Sequence, residues 1–527
     1  MQTNTRHHAQ HHTPHHTQVL VVGGSLVGLS AALFLAARGV RTLLVEKHRG
    51  SAPHPRAIGF TELTLEHYRA VGIADRIPQV SADVRLRRAK VESLTGTWYE
   101  ETPWTPGQAE LDKGVASPCT GAAIAQDVLE PILRTTAVER GADLRQGVEL
   151  LAFAQTPDRV TARVRHRDGG EAYDVDADYL VAADGADSPV REQLGIARAG
   201  VGHLRTIRSV LFRCDAAEPY LAAGVQQFEI EQPGFQAFLT HYPDGRWVLM
   251  FGDDAERSEA ELREAIRRAL GRDLPVELVT TGRWEMAGRV AERYRAGRVF
   301  LAGDAAHQTP PFFGQGMCHG MRDAANLAWK LGMVVRGTAN EELLDSYQPE
   351  RDPQVRSVVS AAVAAGRYIC ELDTDAAHAR DRVMRARAAT GEARTAADLV
   401  PPYHAGIVLA GSAGAGERFV QPWLATATGP RLLDDVTGGG WRLFVTEDAL
   451  QAPALDLAPL RIRPIDVASV PDDGTLRRWL DQRGARAVLV RPDAYVFGTA
   501  ADGVAPLLDA LRDALGLMPA MALQEGN

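Results

Sequence analysis

Three short stretches carry residue types that can bind a phosphorylated cofactor and hold a reactive ring. The first is Gly23-Gly24-Ser25-Leu26-Val27-Gly28, inside VLVVGGSLVGLSAALFLA (Val19 to Ala36). In a G-x-G-x-x-G turn the first glycine permits the tight bend. The second lets the backbone approach a pyrophosphate, and the third lets helix and strand pack closely. Ser25 replaces the second. It is small, its hydroxyl could donate to a phosphate oxygen, and the helix behind it begins with unpaired N–H groups at a positive dipole end. Glu46 follows 23 residues after Gly23, where an acid meets a ribose hydroxyl. Taken alone, the stretch is also compatible with a glycine turn that holds no ligand.

The second stretch is DGADSPVR, Asp184 to Arg191. By itself it reads equally as an Asp-Gly turn with a capping serine. The third is GDAAHQTPPFFGQGMCHGMRDAANLAWKL, Gly303 to Leu331. Here an aspartate at a strand end precedes a proline pair. A second glycine-rich turn then opens a long helix, whose first N–H groups would stabilise a negatively charged ring.

These stretches need elements to position them. Val19 to Val22 reads as a buried parallel strand, Leu29 to Ala37 as a helix, and RTLLVEKH as a second strand ending at Glu46. That is the βαβ unit of a doubly wound sheet. AIAQDVLEPILRTTAVERG has helical spacing, and Asp168-Gly169-Gly170 reads as a hairpin turn. From Gly224 to Gly252 the pattern becomes a β-meander, a different architecture, so a second domain is inserted there. DAANLAWKLGMVVRG is a strong helix. A third region, from Pro401-Pro402 onward, reads as a small α/β domain.

Composition limits the partners. The chain has 527 residues, enough for two or three domains, and a net charge of -9 that gives no basic face for nucleic acid. Cys119, Cys214, Cys318 and Cys370 are widely spaced without a C-x-x-C. This argues against a disulfide framework or a zinc site and suits a reducing cytoplasm. No metal site is expected. The polar, histidine-rich start MQTNTRHHAQHHTPHHTQ reads as a disordered tail, with metal binding the alternative. The apolar run after it lacks the flanks of a signal peptide and carries glycines that suit a membrane span poorly, so no membrane partner is expected.

In this order and spacing the three motifs resemble the class A flavoprotein aromatic hydroxylases, the family of para-hydroxybenzoate and phenol hydroxylases. The style is closest to the aromatic polyketide hydroxylases. The resemblance covers roughly residues 18 to 400, and VLVRPDAYVFG looks like the thioredoxin-like tail of the larger members. It implies an α/β fold: a doubly wound FAD-binding domain (18–85, 115–203 and 290–400), an inserted β-sheet substrate domain (86–114 and 204–289) and a thioredoxin-like domain (401–527). Residues 1–17 would be the tail.

The resemblance also implies FAD, with NADPH or NADH as co-substrate. Reduced flavin and dioxygen would give a 4a-hydroperoxide that hydroxylates an aromatic molecule, most simply a polycyclic aromatic polyketide. A simple phenol or hydroxyphenylpropionate, or a Baeyer–Villiger variant, is the alternative reaction. An FAD-binding scaffold subunit is the non-enzyme alternative. By the same resemblance, Gly23, Gly24, Ser25 and Gly28 match the pyrophosphate turn, and Glu46, with Lys47 beside it, the ribose acid. Arg56 matches an arginine that reaches the phosphates, and Gln126 a glutamine near the pyrophosphate and ribityl chain. Asp184 matches the D-G motif and Asp304 the G-D motif. Gly316 and Met317 match backbone donors at the pyrimidine edge, with Pro311 and Gly314 in the same loop. Phe228, Phe238 and Tyr242 are candidate substrate contacts. Cys318 stands where many relatives have asparagine and reads as packing, and His307 and His319 as supporting hydrogen-bonding groups. No catalytic side chain is assigned, because the flavin carries the chemistry. A monomer or homodimer is expected.

Overall fold

The computed structural model describes residues 15–54, 59–79, 87–103, 117, 119, 121–311, 315–369, 379, 382–383, 386, 400–446 and 462–517. β1 (His15–Val22), α1 (Leu26–Ala36) and β2 (Thr42–Glu46) form the expected βαβ unit, with Val19 opposite Thr42 and Val22 opposite Val45. The stretch is apolar because it is packed on both faces: Val19 to Val21 and Leu29 to Leu35 are all buried. One boundary is corrected. His15, His16 and Thr17 belong to β1, where they pair with Val175, Asp176 and Ala177. Backbone pairing needs no apolar side chain, and the Thr17 hydroxyl donates to the Arg41 carbonyl at 2.8 Å.

After α2 (Glu62–Ala70) the strands β3 (Arg87–Val91) and β4 (Trp98–Pro103) enter a second sheet. The chain returns through α3 (Gln126–Glu139), β5 (Asp143–Gln146), β6 (Val148–Gln155), β7 (Val160–His166) and β8 (Tyr173–Ala182). β7 and β8 form the expected antiparallel hairpin, with Gly169 and Gly170 at positive φ in its turn. With β14 (Arg295–Ala296) and β15 (Val299–Leu301), the first sheet has the order β14-β15-β8-β1-β2-β5. β15, β8, β1, β2 and β5 are parallel, so Val22, Glu46, Ala182 and Leu301 end on one edge. Open α/β sheets bind ligands at that edge.

α4 (Pro189–Gln193) leads into β9 (Arg198–Arg213). The meander follows as β10 (Gln227–Gln232), β11 (Phe235–His241) and β12 (Arg246–Phe251), and then come α5 (Glu259–Leu270) and β13 (Glu277–Ala291). With β16 (His307–Gln308) the second sheet has the order β16-β13-β9-β12-β11-β10-β3-β4. Leu262, Ile266 and Leu270 of α5 cover one face, against Val210, Phe212, Phe228 and Leu249. The boundaries at 204 and 289 fall inside β9 and β13. These strands pair from Arg213–Glu277 to Arg198–Ala291, so the domains share continuous strands.

α6 (Gln315–Val335) and α7 (Tyr347–Ile369) precede the C-terminal region. β17 (Trp423–Thr426) and β18 (Gly429–Leu432) form a hairpin. β19 (Arg442–Val445), β20 (Arg463–Asp466), β21 (Ala487–Val490) and β22 (Val496–Ala500) form a sheet of order β20-β19-β21-β22. β19 and β20 are parallel, and the other two pairs are antiparallel. This is the strand order of a thioredoxin-like core, and residues 401–527 contain no cysteine. No helix among the described residues is long and apolar enough to cross a membrane.

The C-terminal domain shares a core with α6, where Trp329 and Met333 pack with Trp441, Leu443 and Phe497. A buried ion cluster lies in the same seam. Arg491 donates to both Glu350 oxygens (2.9 and 2.7 Å) and both Asp493 oxygens (3.0 and 2.7 Å), and Lys330 donates to Glu350 at 2.8 Å. Burial opposes ionisation of Glu350, but Arg491 and Lys330 outweigh it and bring the carboxyl down to about 2 from 4.5. The folded protein therefore binds this proton less readily than the unfolded chain. The stabilisation is complete above pH 4.5 and is lost as the pH falls toward 2. Denaturant midpoints measured across that window should fall with pH, and Glu350→Gln should flatten the fall. An unchanged slope would remove Glu350 as its source.

Candidate cofactor site

The glycine turn sits at the C-terminal end of β1. Gly23 adopts φ +104°, which only glycine takes readily, and its N–H donates to the Val45 carbonyl at 2.9 Å. A Cβ on Gly28 would collide with the Gly23 carbonyl, so α1 can start this close to β1 only with glycine there. The N-cap of α1 is Ser25, and it makes no side-chain cap bond. Among the described residues no hydroxyl or carboxylate caps the first N–H groups of α1, which leaves a site for an anion.

Ser25 is exposed, but its hydroxyl is engaged. It donates to Glu130 Oε1 at 2.6 Å and accepts from Gln126 Nε2 at 2.9 Å, and Gln126 Nε2 also reaches Glu130 Oε1 at 2.9 Å. The hydroxyl proton that could serve a phosphate is thus accounted for within the protein. It is committed to a carboxylate on α3, and the turn presents backbone instead. Ser25→Gly should keep FAD while costing about 1–3 kcal/mol of stability, because buried Glu130 loses one donor. Flavin content and a thermal melt of the same sample check both parts, and a colourless S25G protein would refute the first.

Glu46 ends β2 as expected. Its carboxylate accepts from the Gly24 N–H at 2.6 Å and the His48 N–H at 2.7 Å, which ties the acid to the turn. Lys47 beside it is exposed. Asp184 follows β8 and packs its backbone against Gly23. Its Oδ2 accepts from the Val190 N–H at 3.2 Å, while Oδ1 is buried without a partner. Burial raises its carboxyl above the usual range, despite Ser188 and the Val190 N–H. Arg191, from the same motif, donates to the Ala186 carbonyl at 2.9 Å and the Ala305 carbonyl at 3.2 Å, linking the second motif to the third.

The third motif forms a 3-10 turn, Gly303–Ala305, directly after β15. Asp304 is exposed on it, while Gly303 and Ala305 are buried. Asp323 on α6 holds the turn from beneath: its Oδ2 accepts from the Gly303 N–H at 3.0 Å and from His307 Nε2 at 2.7 Å. Its Oδ1 accepts from Arg351 Nε at 2.8 Å. Burial works against this carboxylate, but His307 and Arg351 more than offset it and hold its pKa below the usual range. His319 Nδ1 accepts from Arg351 at 3.3 Å. Burial, with Arg322 and Arg351, pushes the pKa of His319 well down, so the ring is neutral. Both histidines thus face the supporting network.

Gly316 and Met317 lie half-buried in the first turn of α6, and Pro311 is exposed. Arg56 and Gly314 lie outside the described residues. Cys318 is fully buried in the core of the first domain. Cys318→Ser should leave turnover nearly unchanged, and a large loss would show that the thiol takes part.

The candidate substrate residues divide by face. Phe228 is a correction: it pairs with Leu239 and is buried under α5, on the face turned away from the first domain. The strand alternates, and only its other face meets that domain. Phe238 is on that other face, half-buried, with the Arg88 guanidinium 5.0 Å from its ring centre. Tyr242 is buried in the seam with Ala125, Leu211 and Val248. Two further ties cross that seam: Arg246 donates to both Asp127 oxygens at 2.7 and 2.9 Å, and His54 Nε2 lies 2.9 Å from Ser209 Oγ.

Glu130, Arg191, Asp323 and Arg351 were not singled out from the sequence. One signal was available for the α6 group. His319, Asp323, Asn326 and Lys330 recur at helical spacing inside an apolar helix, which marks a buried polar stripe.

Residues 16–362 match the family described as FAD binding domain, and residues 416–514 match the HcaD C-terminal domain. The chain belongs to the FAD-binding flavoprotein family. The flavoprotein is 39% identical to the tetracenomycin A2 monooxygenase-dioxygenase of Streptomyces glaucescens over 67% of each chain. It is 34% identical to the tetracenomycin B2 monooxygenase-dioxygenase of Streptomyces olivaceus, over 94% of this chain and 97% of that one. The solved ternary complex of aklavinone-11 hydroxylase with FAD and aklavinone superposes with TM-score 0.78 at 32% identity, covering 96% of the flavoprotein and 100% of that chain. The resemblance to aromatic polyketide hydroxylases therefore extends through all three domains.

FAD fits the residues present. The uncapped start of α1, the partnerless buried Asp184 Oδ1 and the exposed Asp304 all lie on one sheet edge.

Proposed function

We propose that the flavoprotein uses NAD(P)H and dioxygen to hydroxylate an aromatic polyketide. The observation that carries this reading is the convergence of the glycine turn, Asp184 and Asp304 at the C-terminal ends of β1, β8 and β15. The inner face of the second sheet packs against the same domain. Bound FAD would supply electron transfer and oxygen activation. The α1 N–H groups would hold its pyrophosphate, Glu46 its ribose and Asp304 its ribityl hydroxyls. The backbone of Gly316 and Met317 would meet its pyrimidine edge, where the start of α6 stabilises negative charge.

The inner sheet face carries Ser209, Leu211, Phe238, Val248 and Met250 by register. By register the same face also carries Arg88, Gln227, Glu229, Thr240 and Arg246, so its apolar side chains can meet a flat ring system while polar groups orient it. Phe238 is the aromatic contact we assign to the substrate. Arg88 braces it, donating to Gln227 at 3.2 Å and Glu229 at 3.1 Å.

The test is incubation of the purified chain with NADPH and a panel from single-ring phenols to four-ring quinones, following oxygen uptake and product mass. Gain of one oxygen on a polycyclic phenol supports the reading. Turnover confined to single-ring phenols would overturn the polyketide assignment. A yellow protein inert to every donor would make it a flavin-binding scaffold.

A further inference from the structure

The C-terminal domain has no cysteine with which to do redox chemistry, yet it is fastened to the first domain by buried charge. Glu350, Arg491 and Lys330 are all fully buried, and Asp493 nearly so. The four formal charges balance. Neutral groups donate to the cluster's carboxylates: Asn326 Nδ2 to Glu350 at 2.6 Å, Trp329 Nε1 to Asp493 at 3.2 Å and the Ile407 N–H to Glu350 at 2.8 Å. Arg491 also donates to the Ile407 carbonyl at 3.0 Å, and Trp329 and Tyr403 present ring faces to it at 5.3 and 5.0 Å.

The neighbour of Glu350 on α7 is Arg351, the residue that grips Asp323 under the Gly303–Ala305 turn. Successive helical residues point about 100° apart, so one turn of α7 faces both ways. Glu350 meets the C-terminal domain, and Arg351 meets the turn. Arg351 also binds Gln354, whose Nε2 donates to the Pro401 carbonyl at 2.8 Å, where the C-terminal region begins. α6 repeats the pattern, with Asp323 toward the turn and Asn326, Trp329 and Lys330 toward the cluster.

We propose that Arg491 is a positioning residue of the flavin site: by fixing Glu350 it fixes Arg351, Asp323 and the Gly303–Ala305 turn. The C-terminal domain is then part of the cofactor cradle. This rests on the reading that the turn holds the ribityl chain.

Removing the guanidinium leaves two buried carboxylates facing one lysine. The cluster can relieve that by taking up a proton, by moving α7 or by admitting water, and each loosens the grip on Glu350. The test is flavin release from the full-length holoprotein, followed by the rise of flavin fluorescence on dilution at a temperature well below melting. Arg491→Met keeps the stem volume without the charge. It should weaken FAD at least about tenfold while the far-ultraviolet circular dichroism stays unchanged. Phe419→Leu, in the C-terminal core away from Glu350, should lower the melting temperature but keep FAD within about twofold of wild type. If R491M fails to fold, Asp493→Asn replaces it, with a loss of at least about threefold expected. Wild-type affinity in a folded R491M or D493N protein, or an equal loss in F419L, would overturn the proposal. Failure of the underlying reading looks different: the Asp304→Ala protein would then hold FAD as tightly as wild type, and both would fall.

Discussion

The Asp304→Ala protein is expected to purify folded but with little or no flavin. Asp304 is exposed on a turn whose other residues are buried, so truncating it opens no cavity. What is lost is a charged acceptor at the sheet edge. Hydrogen bonds to a charged group contribute about 1.5–3 kcal/mol each, so losing one weakens binding by about 10- to 150-fold. Flavin absorbance of the purified protein, before and after incubation with excess FAD, gives the answer. Full retention would end the assignment of this turn to the ribityl chain.

Asp323→Leu should behave in the opposite way, damaging the fold first and the flavin site as a result. Asp323 is fully buried and serves Gly303, His307 and Arg351 at once. Replacing it strands the Arg351 charge and a backbone N–H in the core, and losing one partner of a buried pair costs about 3–5 kcal/mol. The melting temperature should fall steeply in the apoprotein as well as the holoprotein. Asp323→Asn, which keeps the shape and part of the bonding, should recover part of it. A D323L protein with wild-type melting would refute the role of the carboxylate as a clamp.

The contrast between these two aspartates shows what the sequence makes legible. Asp304 can be singled out because it follows an apolar strand beside glycine, a local signal. The βαβ unit, the Asp168-Gly169-Gly170 hairpin and the meander were visible for the same reason, since each is written in consecutive residues. Asp323 works through partners contributed by the Gly303–Ala305 turn, β16 and α7, and only folding brings these together. The side on which Phe228 faces depends on which sheet surface receives α5, and alternation alone does not decide that. Ser25 was legible as part of the turn, but its bond to α3 was not. Its partner Glu130 lies 105 residues away, and nothing local connects them.

The shared strands have a consequence for building chimeras. β9 and β13 pass unbroken from the flavin domain into the substrate sheet, paired from Arg198–Ala291 to Arg213–Glu277. A sheet grafted from a relative to change ring preference cannot be joined through loops. It must be spliced within paired backbone, and the register shifts between Met286 and Ala287 and between Gly288 and Arg289, at the flavin-domain end, are two of the three places where the ladder is already interrupted, the third lying between Leu278 and Thr280. The graft must also keep an arginine at position 246 for Asp127 and a hydroxyl at position 209 for His54. Without them the transplanted sheet would lose two of the ties that align it on the first domain.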